Sequence, residues 1–282
     1  MRRVVFVNRY FHPDHSATSQ IASDLAFPLA SRGWDVSAVT SGQRYDDPSA
    51  RLASETVNGV RIERIWTTRF WRARLAGRAI DYATFYLGAL LKLVARRDSV
   101  VVAMTDPPLI SVAAALASRR LVNWLQDLFP EVARELGIGV PRFLGRLRDW
   151  SLRRARRNVA IGESMAARVP KAAVVHNWAD AALRPVARET NPLRAEWNLG
   201  DAFVVGYSGN FGRAHDFHTI TRAMDLLRPE QRSGSLRFLF VGNGAKLAEV
   251  KEDAGAHAAF FPYQPREALS NSLSAADAHL VT

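Results

Sequence analysis

VVGYSGNFGRAHDFHTI, residues 204–220, is the stretch on which the fold turns. Val204 and Val205 are β-branched, as a buried strand prefers, and glycines then recur at 206, 209 and 212 before Arg213 and a helix-like run. A strand that passes through a small-residue turn into a helix is the unit from which parallel sheets with covering helices are built. Two readings of the glycines stand open. Something approaches the main chain closely, or a positive φ is needed, where the chain leaves the sheet; alternatively the turn is merely tight and binds nothing.

The same unit recurs on both sides of this stretch. On the N-terminal side, VVFV (4–7) precedes an apolar helical run over 19–31 that ends at Gly33, followed by DVSAVT (35–40) and VRIERI (60–65). An arginine-rich helix through residue 95, VVVAMT (100–105), an alanine-rich helix over 110–118, LVNWLQD (121–127), NVAIG (158–162) and AAVVHN (172–177) complete that half. NWADAALRPVARETNP, residues 177–192, is polar with two prolines and reads as a linker. FVVGYS (203–208), a helix near 219–227, LRFLFVG (236–242), a helix from residue 245, HAAFFP (257–262), a helix over 266–276 and a last strand in AHLVT then follow. The expected class is α/β, with two Rossmann-like doubly wound parallel-sheet domains over 1–180 and 190–282. The second is expected to be incomplete, because no helix follows its last strand.

Composition narrows the partners. A chain of 282 residues with 48% hydrophobic and 23% charged residues is globular and long enough for two domains. The lack of cysteine excludes disulfides, thiolate metal sites and cysteine nucleophiles. The first apolar run is too short for a signal peptide, and the longest is about half of what a membrane-spanning helix requires. The net charge of +11, with arginines clustered over 69–78 and 142–157, favours phosphate-bearing partners, or serves solubility alone. Nucleic acid is disfavoured, since the aromatic residues do not interleave with arginines on a strand of RNA-binding type. His12, His15, His215, His257 and His279 show no metal-ligand spacing, so neither a metal nor any other cofactor is expected.

FHPDHSATSQ (11–20), TDPPL (105–109), QDLFPE (126–131), HNWAD (176–180), YSGNFGRAHDF (207–217), FLFVGNGAK (238–246) and FFPYQPREAL (260–269) carry a resemblance. Taken in order along the whole chain, they resemble the retaining GT-B glycosyltransferases of family 4. The branch approached is the one that builds bacterial surface polysaccharides on lipid carriers. The resemblance implies a nucleotide-sugar donor and an acceptor saccharide on undecaprenyl diphosphate. It further implies retention of anomeric configuration and a cytoplasmic location, peripheral on an anionic membrane surface. The donor diphosphate itself would act as the base.

The resemblance also assigns residues. Arg213 would neutralise the departing diphosphate, or be an ordinary surface arginine. Gly209, Asn210 and Gly212 would offer backbone N–H groups to it, helped by the positive end of the helix beginning near Asp216. Relatives follow the arginine with a lysine, whereas this chain has His215, Asp216, Phe217 and His218. Gly242, Asn243 and Gly244 would lie near the nucleoside, with Tyr263 and Gln264 at the base; Tyr263 stacks on it or is a packed aromatic. Ala17, Thr18 and Ser19 form the acceptor and phosphate loop, where Thr18 or Ser19 binds a phosphate oxygen or caps the helix. Asp127 contacts the transferred sugar or caps the turn after it.

Two expectations concern the periphery. RFWRARLAGRAIDYATFYLGALLKLVARR, residues 69–97, reads as a membrane-surface helix, or as a core helix with a solvated basic end. The family's acidic pair that grips the donor sugar would fall beyond residue 282. The chain thus reads as truncated at its C-terminus, and the alternative function is a non-catalytic nucleotide- or membrane-binding module.

Overall fold

The computed structural model describes the chain except for residues 1, 46, 48, 71–74 and 181. It divides into two compact units, Met1–Asn177 and Trp178–Thr282. Both are α/β, with Rossmann-like sheets.

In the first unit the strands are β1 (Arg3–Val7), β2 (Asp35–Ser41), β3 (Glu55–Val57), β4 (Val60–Ile65), β5 (Val100–Ala103), β6 (Leu121–Leu125), β7 (Arg157–Ala160) and β8 (Ala172–Val174). They form one sheet in the order β3-β4-β2-β1-β5-β6-β7-β8. Its helices are α1 (Ala17–Ser31), α2 (Leu75–Val94), α3 (Ile110–Ala117), α4 (Glu131–Glu135), α5 (Arg142–Arg154) and α6 (Glu163–Ala166). The apolar strands are buried on both faces, as parallel strands must be. Val5 and Val7 point into a core with Phe85 and Leu93 of α2 and Ile110 of α3. Val4 and Phe6 point the other way, onto Ala22 and Ala26 of α1. This period of two fixes which helix covers which face.

The sheet is not purely parallel. β3 pairs antiparallel with β4 through a two-residue turn, Asn58-Gly59, whose φ values of 49° and 79° suit a tight hairpin. Three largely exposed residues carry no readable alternation, which is why sequence periodicity passes over them.

In the second unit β9 (Phe203–Asn210), β10 (Leu236–Asn243), β11 (Ala258–Phe261) and β12 (Ala278–His279) form a parallel sheet in the order β11-β10-β9-β12. Its helices are α7 (Pro192–Glu196), α8 (Phe217–Leu226), α9 (Arg228–Arg232), α10 (Leu247–Ala254) and α11 (Leu269–Ser274). The core is aromatic: Phe211 stacks on Phe217 at 4.9 Å between centroids, and Phe240 on Phe260 at 5.0 Å.

Three details depart from the sequence expectation. β9 and β10 run two or one residues further than their apolar runs, so Gly209, Asn210, Gly242 and Asn243 are strand residues, paired Gly242 with Gly209 and Asn243 with Asn210. The helix expected over 266–276 is a 3₁₀ turn, Arg266–Ala268, followed by the short α11. The expected linker is held against the second unit: the backbone N–H of Arg184 donates to Ser270 Oγ at 3.1 Å and that of Val186 to Ser274 Oγ at 2.9 Å.

Arg194 of α7 ties this unit together. Only 5% exposed, its guanidinium donates to the carbonyls of Gly200, Ala202 and Ala275 at 2.8–3.0 Å and meets Asp277 at 3.3 Å. The same Asp277 carboxylate accepts the N–H of Val204 at 2.7 Å. A buried charge of this kind persists because both terminal nitrogens of the guanidinium are met by acceptors, one of them a carboxylate.

Candidate active site

Among the parallel strands of each sheet the chain order reverses at one place, between β1 and β5 and between β9 and β12. Loops at the carboxyl ends of strands beside such a reversal are where doubly wound sheets hold ligands.

After β1 the loop is braced by Asp14. Its carboxylate accepts the N–H of Ser16 at 2.7 Å and that of Tyr45, and its carbonyl accepts Ser19 Oγ at 3.0 Å. α1 starts at Ala17 with Ser16 in the cap position and no side-chain cap. Neither Thr18 nor Ser19 therefore caps the helix. Ser19 is fully buried and satisfied within the loop, which withdraws it from solution. Thr18 Oγ1 accepts from Asn8 Nδ2 at 3.1 Å, and Ala17 is exposed.

Beside it lies a polar group that the sequence reading missed. Arg9 is 5% exposed; its guanidinium donates to Gln43 Oε1 at 3.0 Å and lies 5.0 Å from the centre of the Tyr82 ring. Its carbonyl accepts both the hydroxyl of Thr40 and the N–H of Ser41. Burial pushes the Tyr82 and Tyr86 hydroxyls up, and the Asp106 charge adds to this. Asn8-Arg9, polar residues directly after VVFV, were the available signal.

Asp127 follows β6 in a pocket lined by Met104, Thr105, Pro108, Leu128 and Arg148. It caps nothing: α4 begins at Glu131 after Pro130. Its outer side is open to solvent while protein atoms crowd the rest, and this crowding pushes its carboxyl above the ordinary range. A hydrogen bond from Thr105 opposes the rise without cancelling it. Arg148 is already engaged, forking onto Glu131 at 2.7 and 3.0 Å and meeting Asp149 at 2.7 Å. Burial pushes the Glu131 carboxyl up, but the Arg148 hydrogen bonds, a backbone hydrogen bond and the Arg148 and Arg134 charges together leave the group lowered. Asp127 is thus the carboxyl of the pocket lining, placed where it can accept a hydrogen bond from a hydroxyl.

In the second unit the loop after β9 interlocks with the turn after β10. Phe211 N–H donates to Asn243 O at 2.9 Å, and Lys246 N–H to Phe211 O at 3.0 Å. A Cβ on Gly242 (φ 144°) would fall 1.9 Å from Gly209 O, and one on Gly244 (φ 155°) 2.6 Å from Phe211 N. What approaches Gly242 and Gly244 is the chain's own backbone. A Cβ on Gly212 would meet the His215 ring and the Asn210 amide at 3.1 Å, so the loop is tightly folded on itself.

Arg213 projects from this loop and is exposed. The helix end expected to greet a phosphate already holds a carboxylate. Asp216 caps α8, accepting Thr219 N–H at 3.2 Å and Thr219 Oγ1 at 2.6 Å, and these bonds hold its carboxyl below the ordinary range. Lys246, from the following turn, donates from Nζ to His215 O at 2.8 Å. No local window of sequence could place it there. Tyr263 is 56% exposed with its hydroxyl 3.5 Å from Asn243 O, so its ring lies outside the core; Gln264 Nε2 donates to Pro262 O at 3.0 Å.

Elsewhere, Ile80, Leu87, Leu91 and Val94 form an exposed stripe on α2, opposite the buried Phe85, Ala89 and Leu93. The helix is therefore both a core helix and a carrier of exposed apolar surface. Arg72 and Arg74, counted in its basic front, lie outside the described residues. At its other end Lys92 and Arg96 pair with Glu63. Among the described residues no helix is long and apolar enough to cross a membrane, and no three His, Asp or Glu side chains group as metal ligands.

A family model described as a glycosyl transferase 4-like domain matches residues 17–178. No curated protein matches the chain in sequence. Among solved structures, sucrose-phosphate synthase from Thermosynechococcus elongatus superposes with a TM-score of 0.71 at 15% identity, covering 99% of this chain and 75% of that one. Anabaena HepE in complex with UDP and glucose gives 0.68 at 14% identity, covering 99% and 73%. The lipopolysaccharide outer core galactosyltransferase WaaB gives 0.54 at 13% identity, covering 99% and 74%. At these identities the likeness is one of fold, the GT-B glycosyltransferase architecture.

Proposed function

The chain belongs to the glycosyl transferase 4-like family, and from that premise we propose that it transfers a hexose or amino-sugar from a nucleotide-sugar to a saccharide on undecaprenyl diphosphate. Anomeric configuration is retained, and the protein works as a peripheral protein on the inner face of the cell membrane. The observation that carries this reading is Arg213. It projects into solvent beside the strand reversal of the second unit, and among the described residues it pairs with no carboxylate. A guanidinium left free at such a place suits a diphosphate: its fork meets two oxygens at once and it cannot lose its proton.

Charge grows on the diphosphate as the glycosidic bond breaks, so a fixed cation there lowers the barrier more than it tightens substrate binding. Asp127, whose carboxyl crowding pushes above its ordinary range, hydrogen-bonds a hydroxyl of the transferred sugar or the acceptor. The Anabaena protein was solved with UDP and glucose, and WaaB is a lipopolysaccharide galactosyltransferase. UDP-glucose and UDP-galactose are accordingly the first donors to test.

The test is a transfer assay with these donors, their N-acetylamino counterparts and lipid-linked acceptors, following release of nucleoside diphosphate. NMR of the product reports the anomeric configuration. Transfer with inversion would overturn retention. No release from any donor, with Arg213→Ala indistinguishable from the parent in nucleotide binding, would overturn the reading itself.

A further inference from the structure

We propose that Lys246 supplies the second positive charge of the donor-diphosphate site, entering it from the turn after β10 instead of from the loop that bears Arg213. The inference rests on the reading of that loop as the diphosphate site. A nucleoside diphosphate carries more negative charge than one guanidinium neutralises, and the residues following Arg213 in sequence supply no lysine or arginine before α8. The structure brings a lysine there by another route.

Gly242 and Gly244 let the two turns interlock, because any side chain at either would strike the β9 strand or its loop. Lys246 is thereby fixed at both ends. Its N–H donates to Phe211 O at 3.0 Å, and its Nζ reaches His215 O at 2.8 Å, two residues beyond Arg213. An ammonium has three donors and this one bond uses a single donor, while the side chain stays partly open to solvent. Among the described residues neither Lys246 nor Arg213 forms an ion pair. The acidic residue nearest to Arg213 in sequence, Asp216, is spent on Thr219 at the start of α8. Two unneutralised cations on interlocked loops, one permanently charged and one compact, give this end of the sheet a positive potential.

The competing role is a plain tether, in which Lys246 only holds the His215 carbonyl. Charge separates the two. Lys246→Gln keeps a donor for that carbonyl and removes the charge; Lys246→Arg keeps both. Calorimetric titration with UDP and with uridine is expected to show K246Q weakened about tenfold for UDP, unchanged for uridine, and K246R close to the parent. Equal affinity of K246Q and parent for UDP would overturn the proposal. So would equal losses for UDP and uridine, which would mark a tether. Lys246→Met, which keeps the aliphatic stem, is the second variant, judged by the same UDP-to-uridine ratio if K246Q unfolds. A parent chain that binds none of UDP, GDP and ADP would instead overturn the diphosphate reading on which this rests.

Discussion

Gly242 faces Gly209 across the ends of β10 and β9 so closely that a Cβ on Gly242 would lie 1.9 Å from the Gly209 carbonyl oxygen. No side chain can be accommodated there without moving a strand. Gly242→Ala is expected to destabilise the second unit by about 3 kcal/mol or more, since a strained φ and a backbone clash act together. Gly209→Ala meets only the Tyr207 ring and hydroxyl, at 3.3 Å and beyond, and should cost much less. Urea unfolding of the two variants decides; equal stabilities would mean that the strand ends yield.

Arg213→Ala should weaken UDP or GDP binding by about 1.5–3 kcal/mol, the range for hydrogen bonds to charged groups. Uridine should bind both proteins alike. Calorimetry measures this directly, and unchanged UDP affinity would remove Arg213 from the site.

Asp127 links stability to pH with a definite sign. Crowding raises its folded value, so ionisation costs the folded chain more than the unfolded one. The stability attached to the group is fully present below about 3.8, its ordinary value, and is lost as pH rises through the raised folded value. Asp127→Asn removes that loss. It should raise the melting temperature at neutral pH, with the gain shrinking toward acid, while transfer falls. A variant less stable than the parent at neutral pH would show that the carboxylate is favoured, not penalised.

Membrane association is expected to use the exposed stripe of α2. Leu87 and Leu91 are 60% and 66% exposed, and burying them in a headgroup layer adds to the attraction of a +11 chain for anionic lipid. Co-sedimentation with vesicles containing phosphatidylglycerol should exceed that with neutral vesicles, and Leu87→Ser/Leu91→Ser should reduce it several-fold. Binding indifferent to both lipid charge and the double substitution would sink the idea.

The legible parts of this molecule are those written in short windows. Val4 to Val7 announce a strand buried on both faces, and Gly33 marks the end of α1 at a φ of 81°. Illegible parts depend on what lies beside a segment. β3 is visible only through its pairing with β4. The apolar run ends β9 at Ser208, yet its pairing with β10 carries it to Asn210, because two facing glycines let the strands stay together. Thr18 and Ser19 look alike as capping residues; the fold buries Ser19 and leaves Thr18 half-buried. Lys246 reaches the Arg213 loop because β9 and β10 are neighbours, a fact of sheet order that no motif states.

The Arg194 hub has a consequence for the order of events during synthesis. Its acceptors come from Gly200 and Ala202, close by in sequence, and from Ala275 and Asp277, far along the chain. While the ribosome is still making the intervening strands, α7 has half of its partners and a charge it cannot yet bury. On this account α7 waits, docked loosely or not at all, until residues 275–277 clear the exit tunnel. A translational pause between these points would hold open the part of the nascent chain that most needs its late partner.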